Sequence, residues 1–589
     1  MSPSQIIVLA TPVFLALIAI EYVTGLRRRR NTYRLDDAIT SIGLGMLSQI
    51  SAVFTRLLRI GLYTLVYAHV AIGPGEAFWT SWAGWLLALV FYDFCYYWLH
   101  RAGHECAVFW AAHVVHHQSQ DYNLSTALRQ TSSGALLGWI FYLPMAVAGV
   151  PPLVFGVVAL IDLLYQFWVH TEQVGKLGWF DRWFCSPSNH RVHHAVNDRY
   201  LDRNYGGILI VWDRLFGSFR EEDERCVYGT RKPLDSWDPL WANAEVYWSL
   251  LRDAWHTRRW RDKLRVWFKP PGWRPADVAA RFPSAAFDMA RVQRFAPPMG
   301  RGVRVFAAVQ FLALLAGVAG FLWLADTWPL WRSGVVFTVL LAAQWALGAV
   351  MQGRIRMGEA LLIECAALAM ASSALGWTVL HLVFKPLTML VALAVVVSAW
   401  REAPRRLRGI APWLLAALAA SLAGDVFLML PGHFIAGLAA FLLAHLAYIA
   451  LFRQGGVGWL PSRQALAWVL ALALAMLVVL WQSGLPTGLR APVAAYVAAI
   501  SLMAAQALGR AMVLRDTPSR MVAFGALCFM ASDALLAVNR FVAPLPVPGF
   551  WVLTTYYAAQ CLIVAGLLRT RPPEDAVQAQ RLGVDSAVA

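Results

Sequence analysis

The chain has 589 residues, of which 59% are hydrophobic and only 14% charged, with a formal net charge of +16. A soluble protein carries about a quarter charged residues, so this composition excludes a secreted or cytosolic enzyme with a single membrane tail. Apolar runs recurring from Ile6 to Leu568 point to an all-α polytopic membrane protein, and the basic excess reads as cytoplasmic loop charge, with no nucleic-acid partner.

The expected elements run as follows. A first span, about Ile6 to Tyr22, ends at Arg27-Arg28-Arg29-Arg30, a cluster that stays cytoplasmic. The second, about Ala38 to Val70, is too long for one straight crossing and is expected to be tilted or broken. A third, Trp82 to Leu99, returns to the cytoplasmic face. An apolar pair, about Ala135 to Val150 and Pro152 to Val169, turns at Val150-Pro151-Pro152. From about His170 to Arg304 the chain is polar and rich in Trp and Arg. Between Arg252 and Arg304 stand thirteen Lys/Arg and four Asp, interleaved with Trp255, Trp260, Trp267, Phe268 and Trp273. That mixture suits a segment lying against anionic headgroups, with a solvated loop as the alternative. From Val305 about ten spans follow, and basic residues mark every second loop; Arg490 and Arg540 fall on the wrong side. The expected division is 1–300 and 301–374 for a first unit, 375–570 for a second, and a disordered tail over 571–589. Seven cysteines without CxxC spacing read as reduced and structural. The first apolar stretch lacks a basic n-region and a small-residue cleavage site, so no cleavable signal is expected.

Nine of the 14 histidines fall between His100 and His194. His100 and His104 are four apart. His113, His116 and His117 are separated by three and four, a pattern that His190, His193 and His194 repeat; His170 ends a span between them. On a helix these separations share one face. Clustered imidazoles repel when protonated and are costly when buried without partners, and a metal removes both problems. Cysteine-free nitrogen donors fit a di-iron centre that activates O2 better than structural zinc, which stays the alternative.

The run YDFCYYWLHRAGH, the HVVHH cluster and SPSNHRVHH resemble the fatty acid hydroxylase/sterol desaturase superfamily. DYNLSTALRQ (Asp121 to Gln130) and NYGGILIVWDRLFGSF (Asn204 to Phe219) are most similar to its alkylglycerol monooxygenase family. The resemblance implies a di-iron centre held by these nine histidines, O2 as oxidant and tetrahydrobiopterin as reductant, the last on resemblance alone. Asp93 and Asp121 are candidate partners that orient ligand imidazoles, an interhelical hydrogen bond being the alternative for Asp93.

In the C-terminal half, charges inside apolar spans are expensive and so mark candidate sites: Lys385, Asp425 and Asp533, with His445, Tyr448, Tyr556, Tyr557 and Gln560 as polar companions. Either a lysine–aspartate ion pair or an acid and base split between the two carboxylates accounts for them. KPLTML, GDVFLML, FLLAHLAYI, SDALLAVNRF and YYAAQ resemble the lysoplasmalogenase family of alkenyl-ether hydrolases, which implies an aspartate acid, Asp425 or Asp533.

The combined expectation is a fused enzyme that cleaves alkyl ethers oxidatively and alkenyl ethers hydrolytically. Its partners are membrane ether lipids and an electron or pterin donor. The location is a bacterial inner membrane rather than endoplasmic reticulum, with the di-iron site on the cytoplasmic side. The alternative is a di-iron fatty acyl or sterol hydroxylase joined to a non-catalytic lipid-binding or transport module.

Overall fold

The structure, a computed structural model, describes residues 2–570, so the expected tail over 571–589 lies outside the described residues. The described residues are 72% helical and form no sheet. Among the described residues, twelve helices are long and apolar enough to cross a membrane. The protein is therefore an integral membrane protein with many passes. Two compact units divide at Arg354/Ile355. The helix Met357–Ala374 thus packs within the second unit, ahead of the boundary drawn at 375, because its small-residue face meets Thr378–Glu402 and Pro548–Leu568 closely.

In the first unit, Leu35–Val70 is a single unbroken helix of 36 residues, about 54 Å long at 1.5 Å per residue. Its length is used in two places. Ile39, Met46, Leu47 and Ile50 pack with Leu314, Phe321 and Leu347 of the helices Arg301–Leu324 and Leu330–Met351. Tyr63, farther along, joins Tyr92, Tyr142, Met145 and Phe155 in a second core. The apolar pair expected on either side of Pro151 is shorter than a spanning hairpin. Its first arm breaks into Gly134–Leu137, a 3₁₀ turn Gly138–Tyr142 and Leu143–Val147, and its second is the helix Pro152–Trp168. The helix Trp82–Glu105 is not among the twelve, since Asp93 and the amphipathic rings of Trp85, Tyr92, Tyr96, Tyr97 and Trp98 interrupt its apolar stretch.

Short elements form a cap beyond these helices. Ser186 caps Pro187–His194 by accepting from the Asn189 amide at 3.3 Å, and Pro187 presets the first helical turn. Isolated bridges Phe184–Leu209 and Ala195–Tyr228 hold the two ends of that helix. Farther on, Pro239–His256 and Trp260–Phe268 turn Trp255, Trp260, Leu264 and Phe268 outward, while Asp253 pairs with Arg274 at 2.7 Å and Asp262 with Arg265 at 3.2 Å.

The second unit is a bundle of eight long helices from Met357 to Leu568. Its interior is rich in Ala and Gly, which lets backbones approach closely. The two arginines on the wrong side stack on aromatic rings at one end of the bundle: Arg490 lies 5.0 Å from the Trp481 ring and Arg540 5.3 Å from that of Phe434.

Candidate metal centre and intramembrane polar site

The nine histidines converge in the first unit as two groups. His100, His104, His113, His117 and His193 form one; His116, His170, His190 and His194 form the other. Within each group the candidate ligand atoms lie within 4.8 Å of one another. Local structure explains the sorting. Residues four apart on a helix lie almost above one another, whereas neighbours diverge by about 100°. The pairs His100/His104, His113/His117 and His190/His194 therefore stay in one group each, while His116 and His193 cross to the other.

Hydrogen bonds around the rings fix which nitrogen faces inward. Nδ1 of His100 donates to the Tyr205 carbonyl at 2.8 Å, that of His116 to Arg129 at 2.9 Å, that of His170 to Gln166 at 2.8 Å, and that of His193 to Arg203 at 3.0 Å. A carbonyl only accepts, so Nδ1 carries the proton and Nε2 is left as a bare lone pair in the neutral ring. Yet the Nε2 atoms of His116 and His170 face each other at 3.1 Å. Two lone pairs at that distance repel unless a cation lies between them. The Nε2 atoms of His100, His193 and His194 are buried without a hydrogen-bond partner among the described residues. Burial, reinforced by neighbouring imidazoles, pushes the pKa values of His100, His113, His117, His170, His190, His193 and His194 well below the ordinary histidine value. Burial takes His116 down to about 4. All eight rings are thus neutral at physiological pH, the form that binds metal.

Neither predicted carboxylate touches a histidine. Asp93 accepts from the amides of Ile208 (2.7 Å) and Leu209 (3.0 Å) and from the Trp212 indole (2.8 Å). It anchors the loop that carries Tyr205, so its link to His100 is indirect. Asp121 accepts from Arg34 Nε at 2.7 Å and lies 3.3 Å from Arg294, so it ties the cap together rather than orienting an imidazole. The groups that do orient the rings are mostly main-chain carbonyls, which carry no side-chain signature. Among the described residues, the one carboxylate at these nine rings is Asp202, 3.3 Å from His104 Nδ1.

In the second unit the predicted residues come together as two sets. Lys385 Nζ lies 3.4 Å from Asp425 Oδ1, and Tyr556 donates to Asp425 Oδ2 at 2.7 Å. Gln560 accepts from Tyr448 at 2.6 Å and donates to Ser421 at 3.3 Å. Asp533 has different partners: His445 Nε2 at 3.3 Å and Tyr496, which donates to the same Oδ2 at 2.5 Å. Phe529 stands between the sets, 4.9 Å from the His445 ring and 5.5 Å from that of Tyr556. Tyr496 escaped the sequence reading; its only signal was a hydroxyl in an otherwise apolar run.

Residues 85–218 match the fatty acid hydroxylase family and residues 380–567 the YhhN family. Human alkylglycerol monooxygenase is 37% identical over 314 residues, covering 52% of this chain and 69% of that protein. The chain belongs to the alkylglycerol monooxygenase family. The zebrafish (Danio rerio) alkylglycerol monooxygenase is 40% identical over 270 residues, covering 45% of this chain and 59% of its own. A Mycobacterium tuberculosis lysoplasmalogenase is 38% identical over 176 residues, or 28% of this chain and 63% of that one, which is less than two thirds of its length. No solved structure matches.

Relationship to the alkylglycerol monooxygenases and the fatty acid hydroxylase family implies iron and O2. The residues present fit that requirement: nine imidazoles in two groups, with bare Nε2 atoms turned toward one another and no thiolate or carboxylate in either group.

Proposed function

We propose that the chain is a membrane enzyme that cleaves ether lipids through two catalytic units. The first hydroxylates the ether carbon of alkylglycerols with O2, and the second hydrolyses the vinyl ether of lysoplasmalogens. The observation that carries the first activity is the facing pair of Nε2 lone pairs on His116 and His170, 3.1 Å apart inside a nine-imidazole cluster.

In this reading His100, His104, His113, His117 and His193 hold one iron, and His116, His170, His190 and His194 the other. When bound, the iron pair supplies O2 activation and oxidation of a C–H bond. The carbonyls of Tyr205, Arg129, Gln166 and Arg203 keep four of the rings from rotating, and burial disfavours their protonated form. A hydroxylated ether carbon is a hemiacetal, which collapses to a fatty aldehyde and a free glycerol hydroxyl. Tetrahydrobiopterin is the reductant by family resemblance. The basic cluster Arg27–Arg30 beside the cap supports a cytoplasmic site, and the Ala/Arg/Leu-rich composition supports a bacterial inner membrane. The outward aromatic and basic face of Pro239–His256 and Trp260–Phe268 supports contact with anionic headgroups.

The test uses the purified, iron-loaded full chain. Fatty aldehyde should appear from an alkylglycerol only with O2 and a reduced pterin, and should vanish in His193→Ala. Aldehyde should also appear from a 1-alkenyl lysophospholipid without O2. Inactivity toward both ether classes would overturn the proposal.

A further inference from the structure

The second unit contains a cavity of about 630 Å3 walled by the helices Phe434–Phe452, Arg463–Gln482, Thr487–Leu514 and Thr517–Phe541. Sites for small ligands occupy roughly 300–1,000 Å3. Leu438, Leu472, Met476 and Leu527 give the wall its apolar character, and polar groups are few. Ser501 spends its hydroxyl on the Val497 carbonyl at 2.6 Å. That leaves Tyr496 and Asp533 as the polar functions presented to the space.

The two intramembrane carboxylates are therefore not equivalent. Asp425 is held by Lys385 and Tyr556, its side chain is 3% accessible, and it does not line the cavity. The Asp533 side chain is 16% accessible and does line it. Among the described residues, its hydrogen bonds from Tyr496 and His445 both fall on Oδ2, which leaves Oδ1 uncommitted. His445 is fully buried, lies 2.9 Å from the Tyr496 hydroxyl, and has no partner for Nδ1 among the described residues.

We propose that this cavity is the lipid-chain site of the second unit, that Asp533 is its proton donor, and that Tyr496 and His445 are positioning residues acting through Asp533. The inference rests on the reading of this unit as an alkenyl-ether hydrolase. An apolar slot with one carboxyl at its wall suits a long chain whose reactive double bond must meet an acid. The Asp533 proton passes to the vinyl carbon remote from oxygen, and the carbon–carbon π pair forms the new C–H bond. The adjacent carbon becomes an oxocarbenium centre, to which water adds. The water's surplus proton returns to the Asp533 carboxylate, and the hemiacetal separates into a fatty aldehyde and a glycerophosphodiester that keeps the ether oxygen as a free hydroxyl. Negative charge grows on Asp533 as its proton leaves. The bonds from Tyr496 and His445 then strengthen in the transition state more than in the ground state.

The experiment measures aldehyde release from a 1-alkenyl lysophospholipid by the purified full chain. Asp533→Asn should lose about 100-fold or more, the scale of a removed general acid, and should be more impaired than Asp425→Asn. Tyr496→Phe should lower kcat about tenfold at unchanged KM. His445→Gln should retain more activity than His445→Ala. Ala473→Phe keeps the acid but fills the wall, so it should raise KM for long chains more than for short ones. Elution of each variant as the wild-type species reports that it folds. Asp533→Asn within threefold of wild type, or less impaired than Asp425→Asn, overturns the assignment alone. A wild-type chain inert toward alkenyl lysolipid overturns the hydrolase reading and the assignment with it.

Discussion

His116 and His117 are adjacent in the chain, yet their rings belong to different groups: Nε2 of His116 faces His170 at 3.1 Å, whereas Nε2 of His117 faces His104 at 3.2 Å and His113 at 3.1 Å. The doublet sits where the two groups meet, and His193 and His194 repeat the division from the opposite side.

This division gives a metal-content test. The wild-type chain should bind two ions, one per group. His190→Ala disrupts the four-histidine group and His193→Ala the other, so each should lower the content toward one ion, and the double variant should bind none. Elemental analysis of the purified proteins reads the result. An unchanged content in either single variant would contradict the partition.

Asp93 acts at one remove. With Asp93→Asn the side chain can no longer accept from the Ile208 and Leu209 amides and the Trp212 indole together. The Tyr205 carbonyl should then hold the His100 ring less firmly. Weakening such a support typically costs about 10–100-fold in metal affinity. Competition with a chelator checks this, and an affinity equal to wild type would refute it.

Gly207 lies where the same loop passes the helices. A methyl group there would stand 2.8 Å from Asp162 Oδ1 and 2.9 Å from Asp93 Oδ1 and Tyr96 Cδ1. Gly207→Ala should push the loop away from Asp93 and lower thermal stability by about 1–3 kcal/mol, as overpacking does. Its metal affinity should fall in parallel. A melting temperature equal to wild type would show that the loop can yield.

The metal-free protein should be sensitive to acid. His100, His113, His117, His170, His190, His193 and His194 have lower pKa values folded than unfolded, as does His116, at about 4 against 6.5. Below pH 6.5 the unfolded chain therefore binds more protons than the fold. Stability contributed by these neutral rings is full above that pH and falls as the pH drops through it, by up to about 1.4 kcal/mol per pH unit for each ring. Melting temperatures measured at pH 7.5, 6.5 and 5.5 should decline in that order, with the largest step at the acid end. A flat profile would contradict the neutral cluster.

In the second unit, Lys385→Met leaves Asp425 buried with only Tyr556 beside it. Breaking a buried ion pair by removing one partner costs about 3–5 kcal/mol. Lys385→Met/Asp425→Asn should recover part of that loss, because no charge is then stranded. Detergent-based thermal unfolding of the single and double variants compares them; a single variant as stable as wild type would rule out a stabilising pair.

The sequence by itself determined the membrane class, the helical architecture and the nine histidines, because span length, basic loops and spacings of three and four are local properties. It also picked out Lys385, Asp425 and Asp533, since charge in an apolar span is conspicuous wherever it folds. It could not say that Leu35–Val70 stays whole, since helix continuity depends on what packs along its length. Nor could it show that the segment about Ala135 to Val150 breaks into short turns. Asp121, a candidate for orienting an imidazole, holds Arg34; the choice between a basic and an imidazole partner is made by elements distant in the chain. Only the tertiary structure decided which histidine joins which group, that main-chain carbonyls hold four of the rings, and that Asp533 rather than Asp425 lines a cavity. Metal geometry, carbonyl acceptors and empty space all arise where separate helices meet, and no single stretch of sequence encodes them.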